Sequence, residues 1–483
     1  MQGGVTVRFS TMARVGPEMF PVRRLNTPEY SFDPAGEKFA RRVDEGLQRH
    51  GPYDSPQMRR RQFRILVVAP AEHEGEATVA VQKLLGGLRT QQNVFAGLKK
   101  MYRLEHIQVT QAISEPRFGV SMQGYSEAVR RALDEAPPAP PGEPKFHLLL
   151  TVIRESYREL PDSENPYLQL KGLALVREHV PTQAIFVEKI RQSDYSLQYI
   201  LNTMALAIYA KLGGTSHVLK VPPKSGGEDA RTELVFGVGR DIRKTLRFDS
   251  GEETIGFATV FRANGEYLYN DCTPYCVGSD YERALEATIR RTVERVAAFE
   301  QLENGAKVRL IFHLPRRPGK REERAILNAV GKLPRFDIDF AIVHVNDDHN
   351  FQLFDTSNVA PRSRNGQARP EAALLPARGW SVAIGPRERL VTFVGPDQYK
   401  GNGSPSPVRI TLDRRSTFTD IDYLTQQLYS LSFMSVRSLT PGLVPVTISY
   451  AERLAHITGR LRSVSHWAVE LIQEKLGRKL WFP

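Results

Sequence analysis

The sequence predicts an α/β protein made of two units behind an N-terminal extension. Three observations lead there. From Phe63 onward, short apolar runs alternate with helical patterns, the signature of a parallel sheet with helices on both faces. A turn-rich segment, VPPKSGGEDAR (Val221–Arg231), interrupts that alternation. Beyond it the texture shifts to a larger, strand-rich unit. The expected boundaries are 1–62 for the extension, 63–230 for the first unit and 231–483 for the second.

The elements follow in order. Residues 1–62 are rich in Gly, Pro and Arg, with one helical pattern, GEKFARRVDEGLQRH. Such a stretch cannot form a core alone and needs a surface to pack against. FRILVVAP reads as a buried strand, ATVAVQKLLGGLR as a helix, EHIQVTQA as a strand and GYSEAVRRALDEA as a helix. PPAPPGEP is an extended loop. KFHLLLTVI is a buried strand, YLQLKGLALVREH a helix and PTQAIFVEKI a strand. DYSLQYILNTMALAIYAKL is a long helix stopped by Gly213 and Gly214. In the second unit, ELVFGVGRDI, IGFATVFRANGEYLYN, KVRLIFHL, FDIDFAIVHV, SVAIG, RLVTFVG and VRITL read as strands. SDYERALEATIRRTVERVAAFEQL, KREERAILNAVGKL, DIDYLTQQLYSLSFMS and SYAERLAHITGRLRSVSHWAVELIQEKL read as helices.

Composition bounds the function. At 483 residues, 41% hydrophobic and 25% charged, the chain has ample material for buried cores. No apolar run is long enough for a transmembrane helix, and the start lacks the apolar core of a secretory signal. A cytoplasmic protein without a membrane partner is expected. Cys272 and Cys276, in CTPYC, match neither a redox nor a zinc spacing, so reduced thiols are expected. The net charge of +12 favours a polyanionic partner, nucleic acid first, against the plainer reading of a solvated basic surface.

One stretch carries chemistry. Asn165-Pro166 is a helix start, with Asn as N-cap and Pro at N1. Tyr167 and Lys171 then stack at i, i+4 on the first turns, where free N–H groups and the dipole favour an anion. Gln183 begins the next strand and Lys211 ends the long helix. Each residue alone has a plainer reading; Lys211 would simply complement its helix C-terminus. Other signals are weaker. GVGRD is not G-x-G-x-x-G, RRPGKREE is not a phosphate-binding P-loop, and no G-x-S-x-G elbow occurs. His344, Asp347, Asp348, His349 and Asp355 suggest a metal cluster, against the commoner reading of a turn rich in Asn and Asp.

The ordered set YLQLK, PTQAI, YILNTMALAIYAKLGG, ELVFGVGRDI, IGFATVFRANGEYL, FDIDFAIVHVNDDHNFQLFD and PVTISYAERLAHITGRL resembles the MID and PIWI domains of a prokaryotic Argonaute. The resemblance covers about residues 63–483. It leaves no room for the N and PAZ domains of the long form, so a short Argonaute is implied. It implies a Rossmann-like MID domain over 63–230 and an RNase H-like PIWI domain over 231–483. It implies a guide 5′-phosphate pocket at Tyr167, Lys171, Gln183 and Lys211, with Asn202 as a further contact. In relatives the C-terminal carboxylate helps hold a divalent metal against the phosphate. Here that implies Mg2+ at Gln183 and Pro483.

The resemblance also bears on cleavage. Active PIWI domains place carboxylates around two metal ions. The first carboxylate position falls on Gly239, the second on Leu314 or Pro315, and the last on Glu452. One surviving carboxylate cannot hold two metals, and Arg316 and Arg317 beside the second position oppose a cation. No cleavage is therefore expected. Arg316, Arg317, Arg321 and Arg324 are candidate backbone contacts, against a plain basic loop.

The implied role is a guide-loaded sensor with guide RNA (or DNA) and a single-stranded DNA target. Its effector would be a separate protein with a PAZ-like analogue, of NAD-consuming or nuclease type, acting in defence against plasmids and phage. Residues 1–62 fit a docking arm for it. Two rivals remain: a guide-directed nuclease using Asp241 or the His344–Asp355 residues, and an unrelated α/β enzyme for a phosphorylated small molecule.

Overall fold

A computed structural model describes residues 20–483 except 59–60, 91–93, 116–121, 221–230, 245–251, 278–279, 316–319, 360–369, 397, 399–404 and 466. The first unit is built on four parallel strands. Their order is His106–Ser114, Gln62–Pro70, Leu148–Ile153 and Thr182–Phe186. Leu148–Ile153 is buried at every position, which is why it reads as an unbroken apolar run rather than an alternating one. Helices Glu74–Gly86 and Asp194–Lys211 share one apolar cluster with the sheet, and Met122–Glu135 and Pro166–Glu178 contribute to the cluster on the other face. The N-cap is as the sequence suggests: the Asn165 side chain accepts a hydrogen bond from Leu168 N, with Pro166 in the first turn.

The second unit is a mixed ten-stranded sheet. Its parallel heart is Thr232–Lys244, Lys307–Pro315 and Asp337–Asn346, flanked by antiparallel neighbours on both sides. Helices Asp280–Phe299 and Lys320–Gly331 cover one face. Helices Ile421–Leu431 and Val446–Leu461 cover the other. The fold is thus the mixed α/β architecture expected, with an RNase H-like second unit.

Three elements differ from the sequence reading. PTQAIFVEKI is a strand only to Phe186; Val187–Ile190 is one helical turn. The helix expected to run through SYAERLAHITGRLRSVSHWAVELIQEKL ends at Leu461, and a short π-helical turn follows at Ile472–Leu476. The extension contains strands Val22–Arg24 and Tyr30–Ser31 as well as helix Val43–His50.

The surface that the extension needs is supplied by the chain itself. Val22–Arg24 adds an edge strand to the large sheet through Trp380–Val382. Tyr30–Ser31 pairs with Val218–Leu219, just beyond the long helix of the first unit. The Tyr30 hydroxyl donates to the Phe433 carbonyl at 3.1 Å. Leu25, Tyr30, Phe32, Val43 and Leu47 are all buried, and a fully buried side chain of this size stabilises by about 1.5–3 kcal/mol. The described part of the extension therefore clasps both units. Cys272 and Cys276 are free thiols, both buried.

Candidate nucleic-acid interface

A cavity of about 840 Å³ runs along the outer edge of strand Thr182–Phe186. One wall is the start of helix Pro166–Glu178, through Asn165 and Tyr167, and another is helix Asp194–Lys211. The opposite wall comes from the second unit, through Arg437 and the helix Val446–Leu461. Gly172 permits this closeness, since a Cβ there would stand 2.3 Å from a Val464 methyl.

Of the residues singled out from sequence, Tyr167, Gln183, Lys211 and Pro483 line this cavity. Lys211 is buried, and its ammonium donates to the Thr182 carbonyl at 2.9 Å and to Gln183 Oε1 at 2.8 Å. Burial, with the Lys171 and Arg437 charges nearby, holds the Lys211 ammonium well below the usual lysine range.

Lys171 stands one layer behind the wall. It is fully buried, donates to the Trp481 carbonyl at 2.7 Å, and lies 5.6 Å and 5.7 Å from the centres of the Tyr167 and Trp481 rings. An ammonium offers three donors, and among the described residues only that carbonyl takes one. A buried cation so sparsely bonded is costly by itself and suits an anion brought in from outside.

Asn202 is not brought to the cavity. Its side-chain NH2 donates to the Val94 carbonyl at 3.1 Å, on the far side of the long helix from the cavity wall, so it ties a loop instead. The helix turns Thr203, Met204, Ala207 and Lys211 toward the cavity. Arg316 and Arg317 lie outside the described residues. Arg321 sits on helix Lys320–Gly331, and Arg324 is held by Glu282 through bonds of 2.6–3.0 Å.

Sequence reading missed the basic residues of the facing wall. Arg453, His456 and Arg460 recur at i, i+3 and i+7, so they share one face of the helix. Arg460 pairs with Asp162 at 2.8 Å, whereas among the described residues Arg453 and His456 have no ion-pair partner. That spacing was visible in AERLAHITGR, but only the packing shows that the stripe faces the first unit.

The carboxylate positions of the large sheet read differently. Gly237 and Gly239 face helix Val446–Leu461 at close range. A Cβ on Gly237 would lie 2.0 Å from the Thr447 carbonyl oxygen, and one on Gly239 would lie 2.9 Å from the Ala451 backbone. Leu314 points to the other face of the sheet, into the cluster of Phe236, Val238 and Phe312. The register pairs His313 with Gly237, which leaves Pro315, two residues on, as the neighbour level with Gly239. Pro315, not Leu314, therefore shares the face and level of Gly239. Leu314 lies on the opposite face because side chains alternate along a strand. Buried His313 bonds Thr447 Oγ1 at 2.9 Å, and burial pushes its imidazole down to about 3. Asp241 shares the face of Gly239, and Glu452 is exposed on the helix.

The residues from His344 to Asp355 do not converge. The His349 ring bonds the Pro407 carbonyl at 2.7 Å. Asp355 accepts from the Ser357 amide at 3.0 Å, and Asn346 from the Asp348 amide at 3.0 Å, both local turns. His344 instead meets Asp413 and Glu323, at 3.7 Å and 3.9 Å. These could hold a metal ion. However, Arg415 already bonds both carboxylates and holds the Asp413 carboxyl down at about 2. The trio also lies on the face of the sheet opposite Gly239.

The Piwi domain family's sequence profile matches residues 158–462, more than half of the chain. The chain belongs to the Piwi domain family. It is 29% identical over 472 residues to a protein named argonaute from Cereibacter sphaeroides, covering 95% of this chain and 59% of that protein. It is 22% identical over 434 residues to a Piwi protein from Archaeoglobus fulgidus, covering 86% of this chain and 87% of that one. The chain thus spans about three fifths of the length of the first relative. Among solved structures it is similar to a Clostridium butyricum Argonaute bound to a guide DNA and a target DNA. The TM-score there is 0.66 at 16% identity, covering 96% of this chain and 55% of the other. Among the described residues of this Piwi-family chain, no helix is long and apolar enough to cross a membrane.

Proposed function

We propose that this chain is a guide-holding recognition subunit that pairs its guide with a target and does not cut it. The observation that carries the reading is the cavity shared by Tyr167, Gln183, Lys211 and Pro483, with buried, under-bonded Lys171 behind it. A terminal phosphate is the anion that fits. It brings two charges and several acceptor oxygens to lysines that offer charge-assisted donors. Arg453 and His456 opposite, without an ion-pair partner among the described residues, suit the strand that follows it. The Clostridium butyricum protein in the comparison was solved with guide and target DNA, which supports a strand as ligand. We propose an RNA guide with a DNA target.

Cleavage is left out because the positions beside Asp241 are a glycine, with the helix backbone against it, and a proline. The effect of target pairing would pass to a separate effector of NAD-consuming or nuclease type, giving defence against plasmids and phage. Residues 1–62 remain the proposed contact for it, with their described part already packed on the chain. A short MID–PIWI form, with MID over 63–230 and PIWI over 231–483, is the organisation this reading uses.

Divalent metals are common in the family. The oxygens present fit Mg2+ in part: Gln183 lines the cavity, but its Oε1 already accepts from Lys211 at 2.8 Å. Phosphate and water oxygens would complete the shell, and the ion would supply charge neutralisation beside the phosphate.

The test is to purify the chain from its host, sequence any bound strands and identify bound protein. The loaded protein is then incubated with complementary target and Mg2+ or Mn2+. Short 5′-phosphorylated strands, a copurifying effector and intact target are expected. Cleavage lost on Asp241→Ala would overturn the non-cutting reading. An absence of bound strands would favour a phosphorylated small molecule.

A further inference from the structure

The segment from Leu476 to Phe482 joins the two units. At one end, Asn270 of strand Tyr267–Cys272 holds it. The Asn270 amide donates to the Gly477 carbonyl at 2.7 Å, and its side-chain NH2 lies 2.9–3.3 Å from the carbonyls of Gly477, Leu476 and Lys479. Asn270 is fully buried. At the other end the segment lies on helix Pro166–Glu178. Lys479 donates to the His179 carbonyl at 2.7 Å, and Lys171 donates to the Trp481 carbonyl at 2.7 Å. Trp481 is fully buried, 5.8 Å from Trp467.

Two facts conflict in this arrangement. Among the described residues Lys171 has donors to spare and sits beside the cavity, yet it does not line it, its ammonium being turned to the Trp481 carbonyl. An anion in the cavity outbids a neutral carbonyl for that ammonium, because it adds the attraction of opposite full charges to the hydrogen bond that the carbonyl alone offers. Turning Lys171 outward leaves the buried Trp481 carbonyl without its donor, and a buried carbonyl does not stay unpaired. The segment must then shift, and its other anchor is Asn270.

We propose that residues 476–482 are an occupancy-sensing strap: filling of the anion cavity takes Lys171 from the Trp481 carbonyl, and the strap carries the change to strand Tyr267–Cys272. This rests on the phosphate-cavity reading. The two ends couple through contiguous hydrogen bonds, the kind of connection that has two discrete arrangements.

The experiment uses the full chain with Trp380→Phe, which leaves Trp467 and Trp481 as reporters and alters the strand next to the edge of the large sheet. Matched 5′-phosphorylated and 5′-hydroxyl RNA strands are titrated while tryptophan emission is read. Hydrogen exchange is mapped in the wild type with each strand. The phosphorylated strand is expected to bind more tightly, to change the emission along its binding curve, and to alter amide exchange at 476–482 and 267–272. The hydroxyl strand, at equal saturation, is expected to do neither. With Asn270→Ala the emission change is expected to persist while exchange at 267–272 stops responding. Selective phosphate binding with silent emission and unchanged exchange sinks the strap and leaves the cavity reading standing. Equal binding of both strands sinks both. Should Asn270→Ala fail to fold, the wild-type exchange map decides alone.

Discussion

The two halves of helix Val446–Leu461 meet the rest of the molecule in opposite ways. Its first half lies on Gly237 and Gly239 so closely that neither glycine has room for a Cβ. Its second half reaches the first unit through charged side chains, with Arg460 paired to Asp162 and Arg453 and His456 at the wall of an 840 Å³ cavity. Glycines draw the helix in until backbone meets backbone. Charged side chains keep their solvation by standing at a wall with open space before them. The lesson is that one helix closes the sheet face at Gly237 and Gly239 by packing and leaves a space beside Arg453 and His456.

The comparison can be broken most sharply at the packed end. Gly237→Ala puts a methyl 2.0 Å from the Thr447 carbonyl oxygen and is expected to cost about 3 kcal/mol or more, read as a fall in the urea midpoint. Gly239→Asp, 2.9 Å from the Ala451 backbone, is expected to cost about 1–3 kcal/mol and to give no metal-dependent cleavage. A stable Gly239→Asp protein that cuts would show that the helix does not plug the centre.

At the open end, Lys171→Met is expected to weaken binding of a 5′-phosphorylated strand by roughly 1.5–3 kcal/mol, about tenfold to a hundredfold or slightly more, and to change a 5′-hydroxyl strand far less. Equal losses in a filter-binding assay would place the phosphate elsewhere.

The depressed Lys211 ammonium gives a pH signature. Between its lowered pKa and the ordinary lysine value the unfolded chain binds more protons, so stability rises with pH across that window. Binding runs the other way. An anion favours the protonated amine, so above about pH 7, where the phosphate is already doubly charged, affinity is expected to fall as pH rises. Lys211→Arg should flatten that fall, and an unchanged slope would remove Lys211 from the site.

The smallest effect belongs to the facing wall. Arg453→Ala is expected to weaken phosphorylated and hydroxyl strands alike, by less than about 1 kcal/mol, and to reduce the salt slope by about 0.7. A loss confined to the phosphorylated strand would move Arg453 into the phosphate site.

Much was legible in the residues themselves. The unbroken apolar runs gave the parallel strands, because a strand buried on both faces has no polar alternation to keep. Asn165-Pro166 gave the helix start to the residue, because capping is local chemistry. Gly239 was legible as a glycine on a strand, though not the helix backbone that stands against it. Other features depended on distances the sequence does not carry. Asn202 and Lys211 share one helix, yet a half-turn difference sends one to the Val94 loop and the other to the cavity. Leu314 and Pro315 are adjacent, and only the register with Gly237 shows which faces Gly239. The extension needed a surface, but that the surface is this chain's own sheet follows from pairing across 358 residues, such as Arg23 with Ser381. Local rules fix turns, caps and faces, which is why the sequence determined the elements and the lysines. Contacts between residues hundreds of positions apart are set by how whole elements pack, which is why the cavity, its second basic wall and the Trp481 grip on Lys171 were decided by the tertiary structure alone.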